Sequence, residues 1–466
     1  MTLDLPNDVL LLVGEFLEDH QDRYNLIFVS RRFHDLFLRL VYRSAILKSC
    51  SQARSFLGAL LHRPELARSV RCLHFDDWKQ KPTLSDPLAE PNLTLFNEWA
   101  RKISHSDDEY TKWEQDLLQG VEEAWISLFL PLASNLRQLG LVYPKENMYL
   151  DRTFQRAMRG EKPFDAQPAF RTLQEVSLSH EDHGEETKGS YLPSQVFPFF
   201  SLPSMRAFSA DSVIESRPSP DSEMQNMDNG SPQTPAIRSS TISEITLNSS
   251  NGSMGMESLI ASCASLKSFK YQHSDSHLLA EGYQPSAFYR SLAASKNSLH
   301  TLWLDTCGTH LPFTIAGVNE THDEWFGSLA EFTALKDIRI RLPNLLDVRY
   351  QPEPSTPLLD VLPRSVESLY IEGCKENTLS MLIRQVEMVL SKRSTQFAGL
   401  RRLDIEGFFH DEEDEEASGY QESATQNGGE KVIKSRIYEM AEPLRTACAN
   451  AGIEMFLRDR ECLATM

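Results

Sequence analysis

The sequence predicts an α/β fold: a short all-helical N-terminal unit followed by a long, irregular row of strand–helix repeats whose parallel strands form an open sheet. Three observations carry that expectation. A spacing of apolar, two residues, apolar, one residue, apolar recurs ten times along the 466-residue chain. Its occurrences stand far enough apart for one strand and one helix each. The residue between the last two apolar positions is never aliphatic.

The first element is "LPNDVLLLVGEFL", Leu5–Leu17. Pro6 suits a first helical turn, where its missing N–H would have been unpaired anyway. Val9, Leu10, Leu12, Val13, Phe16 and Leu17 follow helical spacing and make a wide apolar stripe. Gly14 interrupts it, at about 1 kcal/mol relative to Ala. "QDRYNLIFVS" (Gln21–Ser30) predicts a second short helix and "RRFHDLFLRLVY" (Arg31–Tyr42) a third, with Phe33, Leu36, Phe37, Leu40 and Val41 on one face. Three helices of this size rarely stabilise themselves, so part of their apolar surface is expected to need a partner. Buried core, membrane segment and docking surface are the possible uses of so oily a first helix. The run Val9–Val13 is five residues, against roughly 20 for a bilayer span, and the opening lacks the positive region of a signal peptide. Docking is the expectation.

The repeats start at Val70, Leu136, Leu173, Met205, Ile242, Leu266, Leu299, Leu335, Val366 and Leu400. After a first gap of 66 residues, successive starts lie 37, 32, 37, 24, 33, 36, 31 and 34 apart. A doubly wound sheet, a closed barrel and an open horseshoe all fit such a row. The spacer separates them: His74, Gly140, Ser177, Ser209, Thr246, Lys270, Trp303, Arg339, Tyr370 and Asp404. Strands covered on both faces read as continuous Val/Ile/Leu runs. Here one face is wet, so helices cover only the other, the geometry of an open solenoid. "TLSMLIRQVEMVLSKR" (Thr378–Arg393) exemplifies the helix, and "GIEMFLRD" (Gly452–Asp459) predicts a closing strand.

Leu5-Pro6, Asp8-Val9-Leu10, Phe16-Leu17 and "FVSRRFHDL" (Phe28–Leu36), in this order, resemble the F-box, the adaptor-binding module of SCF-type (Skp–cullin–F-box) ubiquitin ligases. "LVYRSAIL" (Leu40–Leu47) is similar to its ending in fungal members, although the Trp often found there is absent. The resemblance implies that Leu5, Pro6, Val9, Leu10, Val13 and Phe16 meet a Skp-family adaptor and, through it, a cullin, while Phe33 and Leu36 hold the three helices together. The later units resemble the long leucine-rich repeats of F-box proteins. Cys307 and Cys374 match the repeat's Asn/Cys position. The expected division is therefore residues 1–48 as F-box, 49–408 as irregular repeat solenoid, 409–432 as an acidic loop and 433–466 as a last repeat or cap.

Two insertions interrupt this plan. Residues 215–240 are rich in Pro, Ser and Asn and offer too little apolar surface to offset ordering entropy, so they are expected to be disordered. Ser219, Ser231 and Thr234 each precede Pro and are candidate phosphosites, or simply part of a tolerated loop. "DEEDEEASGYQESATQNGGE" (Asp411–Glu430) is expected to be a second flexible segment, its acids a solvated run. Residues 82–119 fill the oversized first gap with charged, helical-looking sequence without an assignable role.

Composition excludes several function classes. A formal net charge of -19 disfavours nucleic acid and anionic membrane, which need clustered Lys and Arg. Seven scattered cysteines without a CxxC read as reduced thiols of the cytosol or nucleus rather than a disulfide frame or zinc site. "HEDH" (His180–His183) lacks the helix and base of HExxH, and "NGSMGME" (Asn251–Glu257) lacks a phosphate-cradle pattern. Neither a metal nor a cofactor is expected. Asp305, Glu372 and Glu406 at strand ends would suit a barrel enzyme, yet on an open sheet they lie on the wet face. The expected function is a non-catalytic substrate receptor. Its unknown target protein would be held by Trp303, Arg339, Arg341, Tyr370, Arg402 and Asp404, since aromatic and Arg side chains dominate binding hot spots. A scaffold bound to the adaptor without ligase function is the second hypothesis, an α/β-barrel enzyme the third.

Overall fold

A computed structural model describes residues 5–17, 19–76, 90–143, 148–166, 170–180, 190–215, 235–274, 283–306, 323–348, 351–410 and 433–460. The chain divides into two compact units, residues 1–212 with 220–242, and residues 213–219 with 243–466. The first carries helices α1 (Asn7–Phe16), α2 (His20–Leu26) and α3 (Arg31–Val41), then strands β1 (Ser44–Leu47), β2 (Cys72–Phe75), β3 (Gln138–Tyr143), β4 (Glu175–His180) and β5 (Ala207–Asp211). The second carries β6 (Glu244–Ser250), β7 (Ser268–His273), β8 (Thr301–Thr306), β9 (Asp337–Arg341), β10 (Ser368–Lys375), β11 (Arg402–Phe408) and β12 (Glu454–Asp459). Within each unit every strand pairs in parallel with its chain neighbours. The strand order follows the chain, and β12 has β11 as its one strand partner among the described residues. Within the second unit no described strand pairs with the free edge of β12, so the sheet of that unit is open.

The apolar spacing explains the ladder. Parallel pairing sets Leu73, Leu139, Val176 and Phe208 in one row, and Ile245, Phe269, Leu302, Ile338, Leu369 and Leu403 in another. Each of the thirty pattern residues is at most 3% exposed. Ten of the twelve strands thus sit where the spacing puts them, and β12 occupies the anticipated closing segment. The difference lies at the start. Ser44–Leu47, assigned from sequence to the helical unit, pairs with β2 as the first strand, its Leu47 buried. The sheet therefore begins before residue 49.

Strand entry repeats a backbone device. The Arg43 carbonyl accepts from the N–H groups of both Arg71 (2.8 Å) and Cys72 (3.0 Å), and the Arg71 carbonyl from Arg137 (2.7 Å) and Gln138 (3.0 Å). The same sharing recurs through Arg137 and Gln174, and in the second unit through Ser243, Lys267, His300, Lys336 and Glu367. A hydroxyl just before the first apolar position reinforces it. Thr172 donates to the Leu136 carbonyl, Thr241 to Met205, Ser298 to Leu266 and Ser365 to Leu335, at 2.6–2.8 Å.

The oversized first gap supplies helices Glu90–Ile103 and Asp107–Gln119, followed by Glu122–Phe129. They close a core around Trp113 and Trp125, whose indole N–H groups donate to the carbonyls of Ala124 (3.0 Å) and Leu117 (3.3 Å). Buried Glu123 accepts from the N–H groups of Tyr149 (2.8 Å) and Leu150 (3.4 Å), at the start of helix Met148–Arg159. At the other end Asp459 accepts from the N–H groups of Phe409 (2.6 Å) and His410 (3.0 Å), pinning β12 beside β11.

Gly14 has a packing reason. A Cβ there would meet Phe37 Cε1 at 2.6 Å and Leu40 Cδ1 at 3.0 Å, so the glycine lets α3 approach α1. Gly14→Ala, which on helix propensity alone would stabilise by about 1 kcal/mol, is expected to loosen the N-terminal helices, read as faster limited proteolysis between residues 5 and 42. Burial pushes the Glu123 carboxyl up to about 7, against the lowering effect of its backbone hydrogen bonds. A carboxyl raised on folding favours the folded state while protonated, and that contribution is lost as pH rises from about 4.5 through about 7. Glu123→Gln keeps an acceptor and is expected to flatten the dependence of Tm on pH in this window.

Candidate interaction surfaces

In the first unit, α1 and α3 meet around Phe37, which is 2% exposed and takes the edge of Phe33 at 5.2 Å between ring centroids. Phe33 and Leu36 are only half-buried, so Phe37, rather than the two expected residues, is the centre of the packing. Arg32 ties the chain start down, its guanidinium donating to Asn7 Oδ1 (2.8 and 3.0 Å) and to the Leu5 carbonyl (2.6 Å). Asp19 and Ser30 cap α2 and α3 by accepting from the N–H groups of Gln21 and Phe33.

This leaves a row of large apolar side chains uncovered. Leu5, Val9, Leu12, Val13, Phe28 and Val29 are exposed, as is Pro6, and Phe16 stands 81% exposed. Leu10, expected among them, is instead 9% exposed and packs inward on the same face as Gly14, four residues on, against which Phe37 and Leu40 of α3 pack. Beside Phe16 opens a cleft of about 460 Å³ lined by Leu12, Glu15, Phe16, Arg23, Leu40 and Arg43. Isolated exposed apolar residues are ordinary; here four stand on α1 and two more lie just beyond α2.

In the second unit, register lines up Thr246, Lys270, Trp303, Arg339, Tyr370, Asp404 and Phe456 on the strand face away from the apolar row. All the target-contact candidates of the sequence except Arg341 and Arg402 belong to this row, and those two lie on β9 and β11 as well. Cations lean on aromatic rings along it. Lys270 Nζ sits 3.8 Å above the Trp303 ring, the Arg339 guanidinium 4.6 Å from Tyr370, and Arg402 and Arg458 at 4.9 and 5.2 Å from Phe456. Trp303 Nε1 donates to Asp337 Oδ2 at 2.9 Å, which fixes the ring.

Carboxylates lie beneath the cations. Arg339 bonds Glu372 and reaches Asp305 at 3.2 Å; Arg460 spans Asp305 (3.4 Å), Glu406 (3.6 Å) and Glu372 (3.9 Å). Tyr370 donates its hydroxyl to Glu406. Asp404 accepts from Arg402 Nε at 2.6 Å and Arg458 Nε at 2.8 Å. Burial raises the Glu372 carboxyl well above the usual range, and the charge of Asp305 adds to this while Arg339 opposes it. Burial would weaken the Arg339 guanidinium, but the charges of Glu372 and Asp305 hold it firmly protonated.

The strand face thus differs from the expected wet stripe in its acids, for Glu372 and Glu406, expected there too, are 0% and 3% exposed under the arginines. Asp404, expected at the surface, is 1% exposed and serves Arg402 and Arg458 rather than a target. Arg341 turns its guanidinium to Asp323 at 3.1 Å. Lys270 was named from sequence only as a spacer, and Arg458, Arg460 and Phe456 were not singled out; alternation along β7 and β12 would have found Lys270, Arg458 and Phe456. Arg460 lies beyond β12 and joins only through the fold.

The other motifs are structural. His180 rests against Tyr191, ring centroids 4.0 Å apart, while His183 lies outside the described residues. The turn within Asn251–Glu257 points the N–H groups of Met254 and Met256 at the chain's own Glu215 carboxylate, at 2.9 and 3.0 Å, so an internal anion fills it. Cys374 is buried, and Cys307 lies outside the described residues, as do Ser219, Ser231, Thr234 and residues 411–430. Among the described residues, no group of three His, Cys, Asp or Glu is placed to hold a metal, and no helix is long and apolar enough to cross a membrane.

Removing one partner of a buried ion pair strands the other charge, typically at about 3 kcal/mol or more. Arg339→Met is therefore expected to lower stability against urea, and more at pH 8 than at pH 5. A carboxyl raised on folding loses its stabilising, protonated form as pH rises, so the stranded Glu372 is tolerated best in acid. Equal losses at both pH values would contradict the assignment.

A family model described as a leucine-rich repeat domain matches residues 45–406. Its start coincides with β1 and its end falls within β11. No curated protein matches the chain. Repeat length, the parallel ladder in chain order and this match agree: the chain belongs to the leucine-rich-repeat domain family.

Proposed function

We propose that the chain is the substrate-recognition subunit of an SCF-type ubiquitin ligase, non-catalytic itself and acting in the cytoplasm or nucleus. Leucine-rich-repeat domains bind proteins, which supports a target on the strand face. The adaptor end of the reading rests on one observation, the exposed apolar group Val9, Leu12, Val13 and Phe16 on α1 with Phe28 and Val29 beyond α2, joined to the F-box-like order of residues 5–47. A chain with 66 acidic against 47 basic residues gains nothing from leaving such side chains in water, and each buries about 1.5–3 kcal/mol when covered. A Skp-family adaptor, and through it a cullin, is the proposed cover. Ubiquitin transfer would then follow from proximity, the bound target reacting at high effective concentration.

The alternative is a scaffold that holds the adaptor without reaching a cullin. Cullin co-purification and lengthened target half-life on deletion favour the receptor; adaptor binding with neither favours the scaffold.

Val13→Asp combined with Phe16→Asp places charges on exposed positions and is expected to weaken adaptor capture about 100-fold or more while the melting temperature stays unchanged. Leu10→Asp should instead unfold the N-terminal helices, since that side chain is buried. Undiminished capture by the double variant would remove the docking assignment. For the strand face, a protein whose turnover requires the chain is expected to lose that dependence with Trp303→Ala.

A further inference from the structure

The strand face of the second unit has its charges layered. Three of its carboxylates lie deep, Glu372, Asp404 and Glu406 having side chains at most 4% exposed, while Glu454 stands exposed in register with Arg402. Its cations lie above them, with side-chain exposures of 28% for Arg339, 29% for Arg458 and 45% for Arg402. Two positions carry positive charge that the layer beneath does not cancel. Lys270 rides on Trp303 with no carboxylate partner among the described residues. Asp404 is shared by two guanidiniums, Arg402 and Arg458, both resting on Phe456. A ring face orients a cation without neutralising it, so its charge stays available to a ligand.

We infer that this row binds an extended acidic segment of a partner protein, with carboxylates seated on Lys270 at one end and on Arg402 and Arg458 at the other. The inference rests on the reading of the strand face as the target-binding surface and names the chemical class it selects. Register makes the spacing definite. Lys270 and Phe456 stand in one row on β7 and β12, five strand intervals apart. At ~4.8 Å per interval that is roughly 24 Å, the length of about seven extended residues. Trp303 and Tyr370 lie between the ends and offer ring surface to the segment's backbone and apolar side chains. Chain-wide charge of -19 repels acidic partners in general, so a local cation row discriminates by position rather than by bulk attraction.

Fluorescence anisotropy with the full-length chain and labelled octaglutamate is the test, with octaglutamine, octalysine and an oligothymidine strand as comparison probes. Octaglutamate is expected to bind and to be released as salt is raised. Lys270→Gln should weaken it about threefold, an exposed-pair effect, without changing the melting temperature, because no carboxylate loses a partner. Arg402→Gln with Arg458→Gln should weaken it further. Thr246→Lys, one strand beyond Lys270 in the same row, should tighten it. Binding of octaglutamine or oligothymidine as tight as that of octaglutamate overturns the inference, as does octaglutamate binding that ignores both Lys270→Gln and Thr246→Lys. A target whose turnover needs Trp303 but whose binding is indifferent to Lys270→Gln would leave the receptor reading standing and remove the acidic-segment class alone.

Discussion

Everything in this chain hangs on parallel pairing between sequence neighbours. A parallel strand cannot be followed by its partner through a tight turn, so each must be reached by a crossover that returns the chain to the same starting line. The repeating carbonyl at strand entry is where that return is enforced. One C=O on one strand accepts two N–H groups of the next, from Arg43 onward in the first unit and from Ser243 onward in the second. Once entry is set, the three apolar residues that follow fall into register with those of the previous repeat, and a continuous core builds one row at a time. Hydroxyls at 172, 241, 298 and 365 bind the loops just ahead of that line to the preceding repeat. The crossover can then vary widely in length, which is why the 66-residue interval before Leu136 accommodates a tryptophan-centred helical core without disturbing the pairing of β2 with β3.

Burial of charge follows the same economy. Glu123, Glu215 and Asp459 are each buried and each accept two backbone N–H groups at the start or end of an element. Carboxylates suit these places because unsatisfied N–H groups cluster there and leaving them bare is costly. On the strand face of the second unit the acids instead hold arginines upright. Asp305, Glu372 and Glu406 would be unfavourable alone; with Arg339 and Arg460 threaded between them they become a rigid base. Rigidity lowers the entropy lost when a partner binds, so a surface made this way retains more of its contact energy as affinity.

The two interaction surfaces obey opposite physics. The N-terminal helices present apolar side chains in water, a state whose free energy falls when another subunit covers them. The strand face presents partly exposed cations held on aromatic rings, where specificity comes from charge position more than from area. The proposed receptor role needs both: one stable attachment, and one discriminating grip.

Residue types and spacing alone settled much. Apolar triplets with a non-aliphatic spacer require a sheet covered on one side, because an aliphatic residue there would have had to face water, and that indicated ten of the twelve strands and the repeat architecture, while β1 and the pairing register came from the structure. The same reading found Trp303, Arg339 and Tyr370, since alternation assigns each residue to a face. Exposure within a face was decided only by tertiary structure. Asp404 is buried although its neighbours in the row are not, because arginines two positions away and on the adjoining strand close over it. Leu10 turns inward while Val9 stays out because α3 covers one side of α1, and Gly14 is a contact point rather than a flaw for the same reason. Arg460 joins carboxylates on three strands more than fifty residues distant along the chain, a meeting that no local pattern encodes. Periodicity is a property of one strand or helix; which side chains end up covered depends on neighbours brought together by the whole fold.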